Sequence, residues 1–168
     1  MKNTIKIGVI GAGNIATTVH IPILSCMNKV NIKYAADIQE PNLQYPSSIQ
    51  KIKIGNDMSI LPDCDLILLT VPVGVREKYI EEFGRRNIPI FTEKPFALDV
   101  DSHKRLLSMS KQISCNYMRT NYSSIRQLKE ILSSGIFGEL QEVSITEGGI
   151  VKKTLKGKEH YQTKASLS

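Results

Sequence analysis

The chain has 168 residues, of which 41% are hydrophobic and 23% are charged, and it carries a formal net charge of +6. This hydrophobic fraction is large enough for a packed core, which excludes an intrinsically disordered protein. No apolar run reaches the roughly 20 residues of a membrane-spanning helix, and the N-terminus shows no signal-peptide pattern, so we expect no membrane partner.

The excess positive charge is concentrated at the C-terminal end. Residues 151–168 hold five lysines against one glutamate, whereas a nucleic-acid-binding face needs basic residues arranged on a folded surface. We therefore predict a basic tail over 151–168 and no nucleic-acid partner. The three cysteines, Cys26, Cys64 and Cys115, form no C-x-x-C pair, which indicates reduced thiols in a cytoplasmic protein and no metal site.

The first predicted strand, Ile5–Ile10, leads directly into a turn with the pattern G-x-G-x-x-A. Gly11 permits the tight turn, Gly13 leaves the backbone open to a pyrophosphate, and Ala16 lets the next helix lie close to the sheet. The alternative is a strand–turn–helix with a purely structural role.

The helix after this turn is predicted from Asn14 to about Met27, with Pro22 kinking or splitting it. The free N–H groups of its first turn, at Asn14 and Ile15, together with the positive end of the helix dipole, would face the two phosphates of a dinucleotide.

The second predicted strand, Val30–Asp37, ends in an acidic residue. A carboxylate at this place accepts hydrogen bonds from the ribose hydroxyls of an adenosine and repels a 2′-phosphate, so Asp37 favours NAD over NADP. The alternative is an aspartate that caps a helix or stabilises a turn.

Strands and helices continue to alternate after a loop at 38–48. Further strands are predicted at Ile52–Ile54, Leu66–Val71, Ile88–Thr92 and Ile113–Tyr117, and further helices at Val75–Phe83, closed by Gly84, and at Asp99–Ser110. This alternation predicts an α/β fold with a doubly wound parallel sheet.

Two strand ends carry candidate site residues, because ligands bind at the carboxyl ends of such strands. Thr70 and Pro72 follow the long apolar strand and would line the nicotinamide side of the crevice, unless Pro72 merely ends the strand. Glu93 and Lys94, before Pro95, follow the next strand; by itself, Glu-Lys-Pro is most simply a charged turn.

The pattern changes after residue 122. An amphipathic helix is predicted at Ser123–Ser134, stopped by Gly135, and a strand with alternating apolar residues at Leu140–Thr146. These elements predict the start of a truncated α+β domain, whose unpaired strand edge could pair with another copy of the chain.

Together, the G-x-G-x-x-A turn, the acidic end of strand two, Thr-x-Pro and Glu-Lys-Pro resemble the Gfo/Idh/MocA family of NAD(P)-dependent oxidoreductases. Further similarity is carried by His20-Ile21-Pro22, Asn116-Tyr117-Met118-Arg119 and Leu128 through Gly138-Glu139. The resemblance implies a Rossmann-type dinucleotide-binding domain at 1–119 and an incomplete substrate domain at 120–150, before the tail at 151–168.

The family also implies roles for individual residues. Lys94 would be catalytic, lying beside the nicotinamide and hydrogen-bonding the substrate hydroxyl that loses hydride, with Glu93 close to the cofactor. Tyr117 and Arg119 would lie near the substrate or cofactor, although an aromatic residue at a strand end is often part of the core.

Two departures from the family pattern weaken the expectation of activity. Arg76 stands where the family often has a histidine, which puts the packing of the cofactor in doubt. The family's acid/base histidine lies in a glycine-rich D-x-x-x-H stretch of the second domain, and the only histidine after residue 120 is His160 in the basic tail, which we interpret as solvent-exposed.

We therefore expect the NAD-binding portion of a cytoplasmic oxidoreductase that transfers hydride between nicotinamide and a sugar, nucleotide-sugar or cyclitol hydroxyl carbon. This chain alone would show little or no activity. The alternative is a non-catalytic NAD-binding or partner-binding module.

Overall fold

The computed structural model describes residues 4–43 and 47–146, so the predicted tail and His160 lie outside the described residues. The chain divides into two compact units, with the boundary between Tyr122 and Ser123. Within the described ranges, no helix is long and apolar enough to cross a membrane.

The first unit is built on a parallel sheet of six strands. They are β1 (Ile5–Ile10), β2 (Val30–Asp37), β3 (Gln50–Lys53), β4 (Leu66–Leu69), β5 (Ile90–Thr92) and β6 (Ile113–Cys115). The strand order is β3-β2-β1-β4-β5-β6 and every pairing is parallel. This order confirms the predicted doubly wound Rossmann-type sheet and places its topological switch point between β1 and β4.

The first helical segment contains a π-helix, Ala16–His20, which continues into α1, Ile21–Ser25. Pro22 has no N–H group and therefore cannot donate to the carbonyl group four residues earlier. The preceding Ile21 N–H instead bonds the Ala16 carbonyl five residues earlier, the spacing of a π-helix. The helical run is nevertheless continuous from Asn14 to Ser25, so the expected splitting at Pro22 does not occur, and the helix ends two residues before the predicted Met27.

Two apolar clusters form the core, and successive residues of β4 alternate between them. Leu68 packs with Ala16 and Ile21 of the first helical segment, whereas Ile67 and Leu69 belong to the other cluster. That cluster contains the buried side chains of α2 (Glu77–Arg85) and α3 (Val100–Met109), namely Tyr79, Ile80, Phe83 and Leu106.

The prediction that Gly84 closes the second helix is wrong, because α2 continues through it to Arg85. Glycine is needed there for a different reason: a Cβ would overlap the Met109 carbonyl oxygen at the end of α3. The chain leaves the helix at Asn87 instead, whose φ of 55° lies in the left-handed region.

In the second unit, α4 spans Ser123–Ser133 and is followed by Gly135 at a φ of 69°, as the sequence predicts. The strand predicted at Leu140–Thr146 is wrong for the described structure, which has no strand there. A strand forms only against a partner that accepts its backbone hydrogen bonds, and no described segment pairs with these residues.

Candidate functional site

The two glycines of the first turn meet different surroundings. Gly11 has a φ of 91°, and a Cβ there would lie 2.9 Å from the Thr70 carbonyl carbon, so this position requires glycine. A Cβ on Gly13 would meet nothing within 4 Å. The turn is therefore tight on the β4 side and open in front of the helix.

The start of the helix presents unused hydrogen-bond donors to this open space. The helical run begins at Asn14, and Gly13, Asn14 and Ile15 are all exposed. Among the described residues, their three N–H groups have no hydrogen-bond acceptor. Successive free N–H groups at a helix start can bind a phosphate.

The Asp37 carboxylate lies beside the same turn. Its Oδ2 accepts a hydrogen bond of 2.6 Å from the Ala12 N–H. Residues 38–43 contain no helix for Asp37 to cap, so the carboxylate holds the glycine turn instead. The structure therefore brings the acidic end of β2 to the G-x-G turn, and the binding of a ribose there stays a prediction.

Thr70 and Pro72 follow β4 on the other side of the switch point. The Thr70 hydroxyl donates to the Gly11 carbonyl oxygen, and its N–H donates to the Ile10 carbonyl oxygen at 2.8 Å. Pro72 is exposed and precedes a short 3-10 helix, Val73–Val75. Thr70 thus fixes the glycine turn with its hydroxyl group, and Pro72 alone of the pair lies on the surface.

Glu93 is the centre of a polar cluster directly after β5. Its Oε1 accepts hydrogen bonds of 2.7 Å from both His20 Nε2 and Asn116 Nδ2. Its Oε2 accepts from the Lys94 N–H at 3.3 Å. Burial by itself would raise the pKa of Glu93, but the hydrogen bonds from Asn116 and His20 outweigh it, and the pKa lies below its ordinary value.

His20 and Asn116 are residues to which sequence reasoning assigned no role. The signal for Asn116 is its position directly after β6, which pairs with β5, so that strand ends place it beside Glu93. No comparable signal exists for His20, whose position depends on the π-helix and lies 73 residues from its partner in sequence.

Lys94 is exposed, and among the described residues its side chain makes no hydrogen bond or ion pair. The Lys94–Pro95 peptide is cis. Two hydrogen bonds hold the backbone around it: the Lys94 N–H donates to Glu93 Oε2 at 3.3 Å, and the Phe96 N–H donates to Tyr117 Oη at 3.4 Å. The turn therefore fixes its backbone and leaves the ammonium group available.

Arg76 does not lie in the open crevice, contrary to the expectation that it disturbs cofactor packing. Its side chain is 1% exposed and turns inward beneath the Glu-Lys-Pro turn. The guanidinium group donates to the carbonyl oxygens of Val71, Pro95 and Phe96. Its surroundings lower its pKa, chiefly because burial disfavours the charged form.

Tyr117 and Arg119 lie on the surface just after β6. The Tyr117 side chain is about half exposed (48%), so the alternative that it belongs to the core is wrong. Arg119 is exposed in a short 3-10 helix, Met118–Asn121. The expected roles of Tyr117 and Arg119 near the substrate or cofactor stay predictions.

The one D-x-x-x-H spacing in the sequence, Asp99–His103, has a structural use. Asp99 caps α3 by accepting a 2.8 Å hydrogen bond from the Ser102 N–H. The His103 ring packs edge-on against Phe96, with 4.7 Å between ring centroids.

In the described ranges, no group of acidic, histidine or cysteine side chains could hold a metal ion.

Comparison with known proteins agrees with this geometry. The model of an oxidoreductase family with an NAD-binding Rossmann fold, Gfo/Idh/MocA, matches residues 5–121. An inositol 2-dehydrogenase from Ralstonia nicotianae is 26% identical over 147 residues, which cover 80% of this chain and 43% of the relative. A dTDP-3,4-didehydro-2,6-dideoxy-α-D-glucose 3-reductase from Actinomadura kijaniata is 22% identical over 156 residues, covering 83% and 44%.

Solved structures show the same fold. A 3-ketoreductase from Actinomadura kijaniata in complex with NADP matches with a TM-score of 0.69 at 21% identity, covering 82% of this chain and 46% of that one. A myo-inositol dehydrogenase from Lactobacillus casei in complex with NAD(H) and myo-inositol matches with a TM-score of 0.68 at 25% identity, covering 80% and 43%. The chain spans less than half the length of these relatives, and both NAD(H) and NADP occur among the complexes.

Proposed function

We propose, from the premise that the chain belongs to the Gfo/Idh/MocA family of oxidoreductases, that it is the nucleotide-binding portion of an NAD(P)-dependent dehydrogenase. The reaction is reversible hydride transfer between nicotinamide and a hydroxyl-bearing carbon of a sugar, nucleotide sugar or cyclitol. The observation that carries this proposal is the exposed Lys94 ammonium group, presented by a fixed turn at the same sheet edge as the glycine turn.

The residues of the glycine turn fit a dinucleotide. The pyrophosphate would bind the free N–H groups of Gly13, Asn14 and Ile15, at the place where the missing Cβ of Gly13 leaves open space. Asp37, already bonded to Ala12, would accept the ribose hydroxyl groups. When bound, the nicotinamide ring supplies the acceptor or donor of the hydride.

The nicotinamide side of the crevice would be formed by the ends of β4 and β5. Thr70 and Pro72 would line it, and Glu93 would support it through its hydrogen bonds to His20 and Asn116. Lys94 would donate a hydrogen bond to the substrate oxygen, stabilising the negative charge that develops there as hydride leaves the carbon.

The test is to titrate the 168-residue chain with NADH and follow the fluorescence of the bound dinucleotide. Gly13→Val places a side chain where the pyrophosphate would lie, in space that the protein itself leaves empty. We expect this variant to lose NADH binding while its thermal unfolding stays close to wild type. Equal NADH affinity in both proteins would contradict the proposed site.

Turnover is tested separately, with NAD and myo-inositol as the first probe. Lys94→Ala should abolish any hydride transfer and barely change NADH affinity, because the phosphate and ribose contacts are intact. Binding without turnover in wild type would favour the second candidate, a non-catalytic NAD-binding module.

A further inference from the structure

Arg76 is a charged residue placed in the interior of the first unit. Its side chain is 1% exposed, and its three hydrogen bonds all go to backbone carbonyl oxygens rather than to a carboxylate. Its Nε is buried with no hydrogen-bond partner among the described residues. This arrangement requires an explanation, because arginine is almost never fully buried without a paired carboxylate.

Stability does not explain the arginine. Burying a guanidinium group removes its hydration, and one N–H group here recovers no hydrogen bond in return. An apolar side chain of similar length, such as methionine, would fill the same volume without that penalty. Methionine would, however, donate no hydrogen bonds to the three carbonyl groups.

The three carbonyl groups belong to two segments that lie beyond the last paired residues of β4 and β5, Leu69 and Thr92. Val71 follows β4, whereas Pro95 and Phe96 follow β5 and form the second half of the Lys94 turn. The planar guanidinium group bonds both segments at once, with Nη2 on the first and Nη1 on the second. Arg76 thereby fixes the turn to the end of the neighbouring strand.

We propose that Arg76 is a positioning residue, which holds the Lys94 turn from beneath so that the Lys94 ammonium group stays at the nicotinamide side of the crevice. The proposal rests on the function proposed above for Lys94. Glu93 holds the first half of the turn through His20 and Asn116, and Arg76 holds the second half. Between these two supports the Lys94 side chain is exposed, and it makes no hydrogen bond to any residue that the structure describes.

The experiment compares Arg76→Met with a matched substitution at the opposite edge of the sheet. Arg86 is a partly buried arginine, 19% exposed, which donates to Asp63 and to the Leu61 carbonyl oxygen in the segment before β4. Arg86→Met therefore removes a similar group far from the turn. Arg76→Lys is the second variant, since it keeps the charge but offers a single nitrogen that cannot reproduce the two-segment fork.

The first readout is hydrogen exchange of the amides in residues 93–97, which does not depend on NADH. We expect exchange there to be about tenfold faster in Arg76→Met, from the loss of charge-assisted bonds to the turn. Arg76→Lys should show an intermediate increase. Arg86→Met should leave this segment unchanged even where its loss of thermal stability is equal.

The second readout is acetylation of Lys94 by acetic anhydride, followed by mass spectrometry with the other lysines as internal references. NADH should protect Lys94 in wild type and in Arg86→Met, and protection should be lost in Arg76→Met although NADH still binds. Equal exchange of residues 93–97 in both methionine variants, or retained protection in Arg76→Met, would overturn the positioning role. A wild-type chain that binds no NADH would instead refute the proposed function, and the exchange result would still show whether Arg76 holds the turn.

Discussion

Replacing Glu93 with glutamine tests the cluster that joins the first helical segment to the ends of β5 and β6. The carboxylate accepts three hydrogen bonds, two on Oε1 from His20 and Asn116 and one on Oε2 from the Lys94 N–H. Glutamine has nearly the same volume but one acceptor oxygen, and its NH2 group must face a donor on one side.

The size of the effect follows from the contacts. Hydrogen bonds to a charged group contribute about 1 kcal/mol more than neutral ones, so weakening the two short bonds lowers the free energy of unfolding by about 2 kcal/mol. The Glu93 side chain is only 14% exposed, which limits solvent screening. For a domain of this size, we expect the Tm of Glu93→Gln to fall by about 8 °C.

The same substitution has a pH signature with a definite sign. The pKa of Glu93 is lower in the folded chain than its ordinary value of 4.5. Its contribution is therefore complete above that value, and it is lost as the pH falls through the folded-state pKa, because the unfolded chain takes up the proton first. The difference in Tm between wild type and Glu93→Gln should be constant near neutrality and should narrow below pH 4.5.

Thermal unfolding followed by circular dichroism from pH 3 to pH 8 measures both effects. Glu81→Gln is the matched control, since Glu81 is exposed on α2 and makes no hydrogen bond through its side chain among the described residues. A Tm difference that is equal for the two variants, or that widens as the pH falls, would refute the reasoning.

Two other substitutions test separate parts of the structure. Asp37→Ala should weaken NADH binding about tenfold and raise the affinity for NADPH relative to that for NADH. Fluorescence titration measures both affinities. An unchanged ratio of the two would show that Asp37 does not select the cofactor. Gly84→Ala should lower the free energy of unfolding by about 2 kcal/mol, because the added Cβ would overlap the Met109 carbonyl oxygen. Gly74→Ala is the control: a Cβ there meets open space, so its loss of unfolding free energy should be much smaller. Urea unfolding measures both losses, and equal losses would contradict the close packing of α2 on α3.

The parts of the fold that sequence predicts well are those set by local patterns. The bounds of β1 and β2 agree with prediction, because each strand is rich in apolar residues and is followed by, or ends in, a turn-forming or acidic residue. The acidic end of β2 lies at the glycine turn, since adjacent parallel strands bring their carboxyl ends together, and the binding of a ribose by Asp37 stays a prediction.

The parts that sequence does not predict depend on contacts between distant residues. Gly84 suggests a helix end by its type alone, yet its role is set by a carbonyl group of α3. The sequence predicts that Arg76 disturbs the packing of the cofactor, yet its guanidinium group is buried and donates to carbonyl groups that follow two strands. The bonds of Glu93 to His20 and Asn116 likewise join three segments that no short motif relates.

The π-helix at Ala16–His20 changes the direction in which side chains point along the first helical segment. Each residue of an α-helix advances about 100° around the axis, so one additional residue in a turn rotates everything after it by that angle relative to everything before it. The glycine turn sets the angle of the first residues, and the packing of Ile21 on the sheet sets the angle of the last. The extra residue reconciles these two angles, so that one short helix starts at the glycine turn and still brings His20 within hydrogen-bond distance of Glu93.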